Sequence, residues 1–500
     1  MKLLKAAEQH YTEAKSKLNG MKKKRNDIDQ DYPETPASEY LYNRAGPWPQ
    51  PSPGHPFGVC SAVIHLPWQE QLLWTKEVGL RYARNMLFDW PDALRVAFQT
   101  KLEEVSDAEC AKFFEESLFA KMLNPKLDEP DKKTFAEFMK KEKGQYFKVD
   151  LAPVKFVQTY KGIYVSPSVA LFHRPHKNAP IEIVAIHVNE KIFTNKDGKS
   201  WELAKHYLLE GASIVGTLLT HPLLHFPFDS INAVTKTALP KNHILFKLLI
   251  PHCKFTLPLE NAVLQGESSI LKNWKWQIYG CYPGPSEGLY DQFMAGYRGL
   301  VDNSSYPEYE FPLEPPKIYS KYGDFLQAYY DVIHNFVKNV MSYLPEDDIY
   351  VEQWTNYVCQ FTPGIPSGEE LIRTGKVTNL IAMFIWDVSV AHSLDHESFG
   401  SLPLNKVSMR LRVPPPTGDE KEDGAGPLIK PVDTFKFEMA MKMFYRPTNV
   451  TFLKDVNYNF ADNRLIALNN QFQEDLRRVD QQVEGYRYID LDCIAASVQY

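Results

Sequence analysis

Two segments of the sequence carry histidines four residues apart inside apolar helical runs. One is THPLLHFPF (220–228), which follows WELAKHYLLEGASIVGTLL; the other is VSVAHSLDH (388–396). On a helix, positions i and i+4 lie on one face a turn apart, so each pair of imidazoles can converge on one point. A single pair in apolar sequence is ordinarily core. Two pairs constrain the chain more, because one ion held by all four rings requires both helices to be buried and to meet. The expected fold class is therefore mainly α, with a metal site between two long central helices.

The rest of the chain fits around that centre. Apolar residues recur at helical spacing from PWQEQLLWTKEVGLRYARNML through ECAKFFEESLFAKML, and again over 322–345, 367–396 and 432–445. Between them, YFKVDLAPVKFVQ, GIYVSPSVALFHR and IEIVAIHVN are short, rich in β-branched and aromatic residues and broken by Gly, Pro or Asn, as strands are. A small β insertion is thus expected ahead of the long helix that starts near Trp201. Residues 1–57 read as a separate polar arm followed by a proline-rich connector, and 58–500 as one large domain. The stretch 414–427 reads as a charged surface loop.

Composition excludes some classes of function. A formal charge of -6 with mixed signs gives no reason to expect nucleic-acid binding, and the basic cluster KLNGMKKKRND reads first as a solvated helix end. The six cysteines are scattered without a C-x-x-C, which suits a reducing compartment. With no leader-like start and no unbroken apolar run of about 18 residues, the expected location is cytoplasmic.

Four neutral imidazoles suit iron, manganese, copper or zinc. The flanking residues are apolar: Leu218, Leu219, Leu223, Leu224, Phe226 and Phe228 at one pair, Val388, Val390 and Leu394 at the other. A hydrolytic zinc site of the H-E-x-x-H type would bring a general base inside the motif. Neither pair has one in that pattern, although Asp395 lies within the second. An apolar, histidine-rich pocket points to redox chemistry on an apolar substrate, for which Leu218, Leu224, Phe228 and Val388 are candidate lining residues.

In this order of motifs the sequence resembles the lipoxygenases. The resemblance runs through YFKVDL, GKSWELAK, THPLLHFPF, LPKNHILFKLLIPHCKFTL, AHSLDHESFG, MRLRVPPPT and a similar tail, over most of residues 110–500. It implies a lipoxygenase-like helical domain whose metal ligands are His221, His225, His392, His396 and the main-chain carboxylate of Tyr500. The ion implied is non-haem iron, with manganese as the alternative. The chemistry implied is insertion of O2 into a polyunsaturated fatty acid or similar polyene, giving a hydroperoxide. Partners would be a small lipid and O2, with peripheral membrane contact but no transmembrane segment. His243 and His252 match family histidines that are not ligands and are expected to be hydrogen-bonded core residues.

The chain also departs from the family. Its first pair is H-x3-H where H-x4-H is usual, and the simplest expectation is that a widened π-turn has reverted to plain α-helix; distortion by Pro222 is the alternative. Ala212 and Gly216 replace an acidic or amide residue and a histidine, LPLENAVLQG lacks a clean N-x-x-A-R, and the last residue is Tyr500 in place of isoleucine. Too few residues precede the catalytic region for the family's N-terminal β-barrel. Two other readings stay open: an oxidase or isomerase acting on another apolar metabolite, and a lipid-binding relative without chemistry.

Overall fold

The computed structural model describes residues 41–42, 63–65, 68–140, 143–256, 259, 280–285, 288–301, 303–362, 364–420, 426–444 and 451–498. The arm and connector expected over 1–57 fall outside them, apart from Leu41–Tyr42, which pairs with Val63–His65. LPLENAVLQG lies almost wholly outside as well, and so does Tyr500.

The described chain is mainly helical. Helix α1 (Trp68–Arg84) runs through a π-turn into α2 (Trp90–Gln99), and α3 (Asp107–Glu116) follows. Helix α3 starts where Ser106 and Glu109 cap each other's backbone amides, a reciprocal arrangement that fixes the end of the helix. Then comes the expected small sheet: β1 (Gln145–Asp150), β2 (Ser168–Arg174), β3 (Glu182–Val188) and β4 (Lys191–Phe193), all antiparallel in that order. Alternation along β2 sends Ala170 and Phe172 into the main core beside Phe114, while Leu171 faces Phe135 and Ala185 on the other side. The sheet is shorter than the sequence pattern implies. Ala152–Phe156 winds into a 3-10 turn with Pro153 in its first turn, and Tyr164 makes only an isolated bridge to Leu411.

Beyond the sheet, α4 (Lys199–Val215) leads to the first histidine pair, followed by α5 (Asp229–Ala238). Helices α6 (Lys321–Met341) and α7 (Ile349–Phe361) precede a continuous run made of α8 (Val377–Trp386), a π-turn and α9 (His392–Gly400). Helix α10 (Pro431–Phe444) packs on α2, and α11 (Asn463–Gln482), which the sequence reading does not single out, packs with α8 against α6.

Two large apolar clusters result. One joins the sheet, α3 and α4; the other joins α6, α8, α11 and the C-terminal tail. The run Val377–Gly400 is long and apolar enough to cross a membrane, but 89% of its most apolar window is buried inside the protein. Its apolarity is therefore accounted for by the core. The two histidine pairs sit where the clusters meet, since Leu218 and Leu219 belong to the first and Val388 and Leu394 to the second.

Candidate metal centre

Both histidine-bearing helices widen just before the first histidine. At Gly216–Thr220 the His221 amide reaches back five residues to the Gly216 carbonyl, and at Asp387–Ala391 the His392 amide reaches the Asp387 carbonyl. The expectation that the first widened turn had reverted to plain α-helix is therefore incorrect. The loss of one residue is absorbed after His221 instead, in a 3-10 turn over His221–Leu224 that ends at His225. Pro222 explains the location, because it has no N–H to continue the α-helical ladder. His392 and His396 sit one regular turn apart on α9.

The four histidines come together. One ring nitrogen from each of His221, His225, His392 and His396 lies within 4.8 Å of the others. His225 Nε2 is 2.8 Å from His221 Nε2 and 3.0 Å from His392 Nε2. His392 is fully enclosed, while the His221 side chain keeps 15% of its surface open. Access to the cluster is therefore greatest on the His221 side.

A cation fits this arrangement better than hydrogen bonds do. An imidazole nitrogen either donates or accepts, so His225 Nε2 cannot satisfy both neighbours from one position in its ring plane. His221 Nδ1 lies 3.2 Å from Asp395 Oδ2, and an ionised carboxylate only accepts, so Nδ1 carries a proton and Nε2 is the nitrogen that faces the cluster. His392 Nδ1 is buried without a hydrogen-bond partner among the described residues. Two nitrogens bound to one ion at about 2.1 Å and at right angles would stand about 3.0 Å apart, close to both spacings here.

Electrostatics keep the rings available as ligands. Burial, then the neighbouring imidazoles, pushes His225 well below its usual pKa, and burial together with the same neighbours and Lys121 does so for His392. Both are neutral at pH 7. Burial pushes the Asp395 carboxyl up, but the Lys121 ammonium and the His221 hydrogen bond outweigh it and hold the group at about 2. Burial drives Asp387, at the start of the second π-turn, well above the ordinary carboxylate range.

The tail threads inward beside the cluster. Ala495, Ala496 and Val498 are buried; the Ala495 amide donates to Ser393 Oγ (3.1 Å), and Ser497 Oγ donates to the carbonyls of His252 (2.8 Å) and Lys254 (2.7 Å). His252 pairs through Nδ1 with the Ala496 carbonyl and through Nε2 with the Tyr458 hydroxyl, while His243 caps a short helix and faces Asp348. Both are the hydrogen-bonded residues expected. Ser393→Ala removes a buried acceptor and is expected to cost about 1–3 kcal/mol, read as a lower denaturation midpoint; an unchanged midpoint would mean that the tail anchor contributes nothing.

Of the candidate lining residues, Phe228 packs on Phe311 and Phe384 with no exposed surface, and Val388 is equally enclosed, so both act as core here. Leu218 is buried and Leu224 half-buried next to His225. The sequence reading assigned no role to Lys121 or Tyr322, whose polar atoms reach Asp395. The only signal for Lys121 was a lone charge within SLFAKML.

No model of a known protein family matches the sequence. Polyunsaturated fatty acid lipoxygenase ALOX15B of Rattus norvegicus is 27% identical over 315 residues, and the human protein of the same name 26% over 314. Each match covers 55% of this chain and 44% of the relative, so the alignment spans less than half the length of the curated relatives. Among solved structures, a coral 8R-lipoxygenase superposes with a TM-score of 0.67 at 15% identity, over 99% of this chain and 81% of that one. The manganese lipoxygenase of Gaeumannomyces graminis gives 0.61 at 16% identity, over 90% and 91%. The fold is thus that of a lipoxygenase catalytic domain.

Proposed function

We propose that this protein is a lipoxygenase-type oxidoreductase that inserts O2 into a polyunsaturated fatty acid or similar polyene to give a hydroperoxide. The observation that carries this reading is the convergence of four histidines from two buried helices within this fold, with His225 and His392 held neutral by burial. In this proposal His221, His225, His392, His396 and the terminal carboxylate of Tyr500 hold one iron or manganese ion. When bound, such an ion would supply one-electron redox chemistry, accepting an electron as a methylene between two double bonds loses a hydrogen atom and returning it, with a proton, to the peroxyl radical formed on addition of O2.

The chain's own residues do the rest. The π-turns aim the imidazoles at one point, the Asp395 carboxylate keeps the proton of His221 on Nδ1, and the two apolar clusters limit water. The more open His221 side, near Leu218 and Leu224, is where we place the acyl chain. The test is metal analysis of the purified protein with oxygen uptake on linoleate and arachidonate; protein free of both iron and manganese in every preparation would refute the reading. Appending a glycine after Tyr500 is expected to lower metal content, and unchanged content would remove the terminal carboxylate from the ligand set.

The 3-10 turn between His221 and His225 favours one alternative, the oxidation or rearrangement of a different apolar metabolite. Bound metal without oxygen uptake on any fatty acid would select it.

Peripheral membrane contact belongs to the same proposal. Leu80, Leu87, Phe88, Trp90, Leu94 and Phe98 are exposed along α1 and α2, with Phe88 at 72% and Phe98 at 71%. The Phe88→Ser, Phe98→Ser double variant is expected to co-sediment with phosphatidylcholine vesicles about tenfold less well, and equal sedimentation would exclude this surface.

A further inference from the structure

Asp395 lies inside the second histidine pair, and its side chain is 1% exposed. Its two oxygens receive three groups. His221 Nδ1 is 3.2 Å from Oδ2, while Lys121 Nζ at 2.5 Å and the Tyr322 hydroxyl at 3.2 Å share Oδ1. Tyr322 is fully buried, and the Lys121 side chain is 14% exposed. A charged pair this enclosed costs desolvation that its mutual attraction barely offsets, so it is weak evidence for a stabilising role.

The fold goes to some length to bring Lys121 there. The 3-10 turn Leu118–Met122 is tied to α9 by the Leu118 amide, which donates to Ser398 Oγ at 2.8 Å. The same turn lies against the π-turn at Gly216, where an added Cβ would come within 2.7 Å of Leu118 Cδ1. One short segment thus touches both histidine-bearing helices and delivers its ammonium to the carboxylate between them.

We propose that Asp395 is a positioning residue for His221, held in place by Lys121 and Tyr322, and that this relay fixes the His221 tautomer and raises the basicity of the nitrogen that faces the ion. A carboxylate on the far side of a ligating imidazole has this effect in metal sites generally. In this chain it also adds negative charge next to the four clustered rings. Lys121 balances the buried charge when no ion is present. The inference rests on the metal-centre reading above and extends it to residues outside the ligand set.

The test uses the full-length protein, stripped of metal and titrated with Co(II) alone, reading its visible absorption bands and the dissociation constant. The variant is Lys121→Met with Asp395→Leu, which removes both charges together and so leaves neither buried and unpaired. A purely structural pair predicts that this variant keeps its fold and its Co(II) affinity. The relay predicts a retained fold with Co(II) affinity about 10- to 100-fold weaker and altered band positions. Asp395→Asn, which keeps the shape of the side chain, is expected to weaken Co(II) binding in the same direction and serves if the double variant does not fold. Unchanged affinity in a folded variant overturns the relay alone. A wild-type protein that takes up no Co(II) overturns the metal centre and the relay with it.

Discussion

Replacing His392 with alanine is expected to leave the protein folded but without stoichiometric iron or manganese, and to reduce any oxygen uptake by more than about a hundredfold. His392 is the most enclosed of the four histidines, and its Nε2 stands 3.0 Å from that of His225. Changes to residues that only hydrogen-bond a metal's ligand commonly cost about 10- to 100-fold in metal affinity, so removal of a proposed ligand should cost at least as much. The fold should tolerate the change better than an ordinary core truncation. In the metal-free protein it relieves a crowded contact between like groups and takes away a buried Nδ1 that has no hydrogen-bond partner among the described residues. Metal analysis and a denaturation curve on one preparation separate the two effects. Native metal content in the variant would refute the site; collapse of the fold with loss of metal would show that His392 acts chiefly in packing.

The metal-stripped protein is expected to lose stability on acidification below about pH 6.5. His206 and His252 are both held down to about 4, mainly by burial, and burial also holds His225 and His392 well below their usual value. Each depressed histidine stays neutral in the folded state while the unfolded chain takes up a proton below about 6.5, so stability falls as pH drops. Glu210 and Asp387 act in the opposite sense. Burial raises both well above the carboxylate range, so the folded state retains protons that the unfolded chain gives up above about 4.

Asp131 and Glu397, whose carboxyls burial also raises, act with Glu210 and Asp387 to a lesser degree, and the four depressed histidines decide the sign. The expected result is a loss of stability between about pH 6.5 and 4.5. Denaturant melts across that range test it. Equal or greater stability at pH 4.5 would mean that the buried histidines are not kept neutral by the fold.

The histidine pairs and their helices were legible because i and i+4 positions report one helix face directly. The sheet was legible through β-branched residues and turn breakers, except where Pro153 turned the expected continuation of β1 into a 3-10 turn. The π-turns could not be located in the same way, since one residue of extra phase within five is invisible to an apolar periodicity. The rule that made THPLLH look like plain α-helix assumed a regular ladder, and Pro222 removes the donor on which that ladder depends. Asp395 was visible, but its role depends on Lys121, 274 residues earlier in the chain, and Tyr322, 73 earlier. No local spacing could have joined them.

The two π-turns also set a rule for how this sequence can vary. Each stands between a helix whose orientation is fixed by core packing and a histidine whose orientation is fixed by its three neighbours. The extra residue is a phase adapter that lets both requirements hold on one rod. Deleting one residue upstream of His221 or His392 would swing the imidazole by about 100° around the helix axis, away from the cluster, while the helix itself could remain regular and well packed. The segment after His221 has already lost a residue in comparison with the lipoxygenases and tolerates it, because a proline-shortened turn ends there. Length change in this protein is therefore polar: permitted downstream of His221 and forbidden upstream of it.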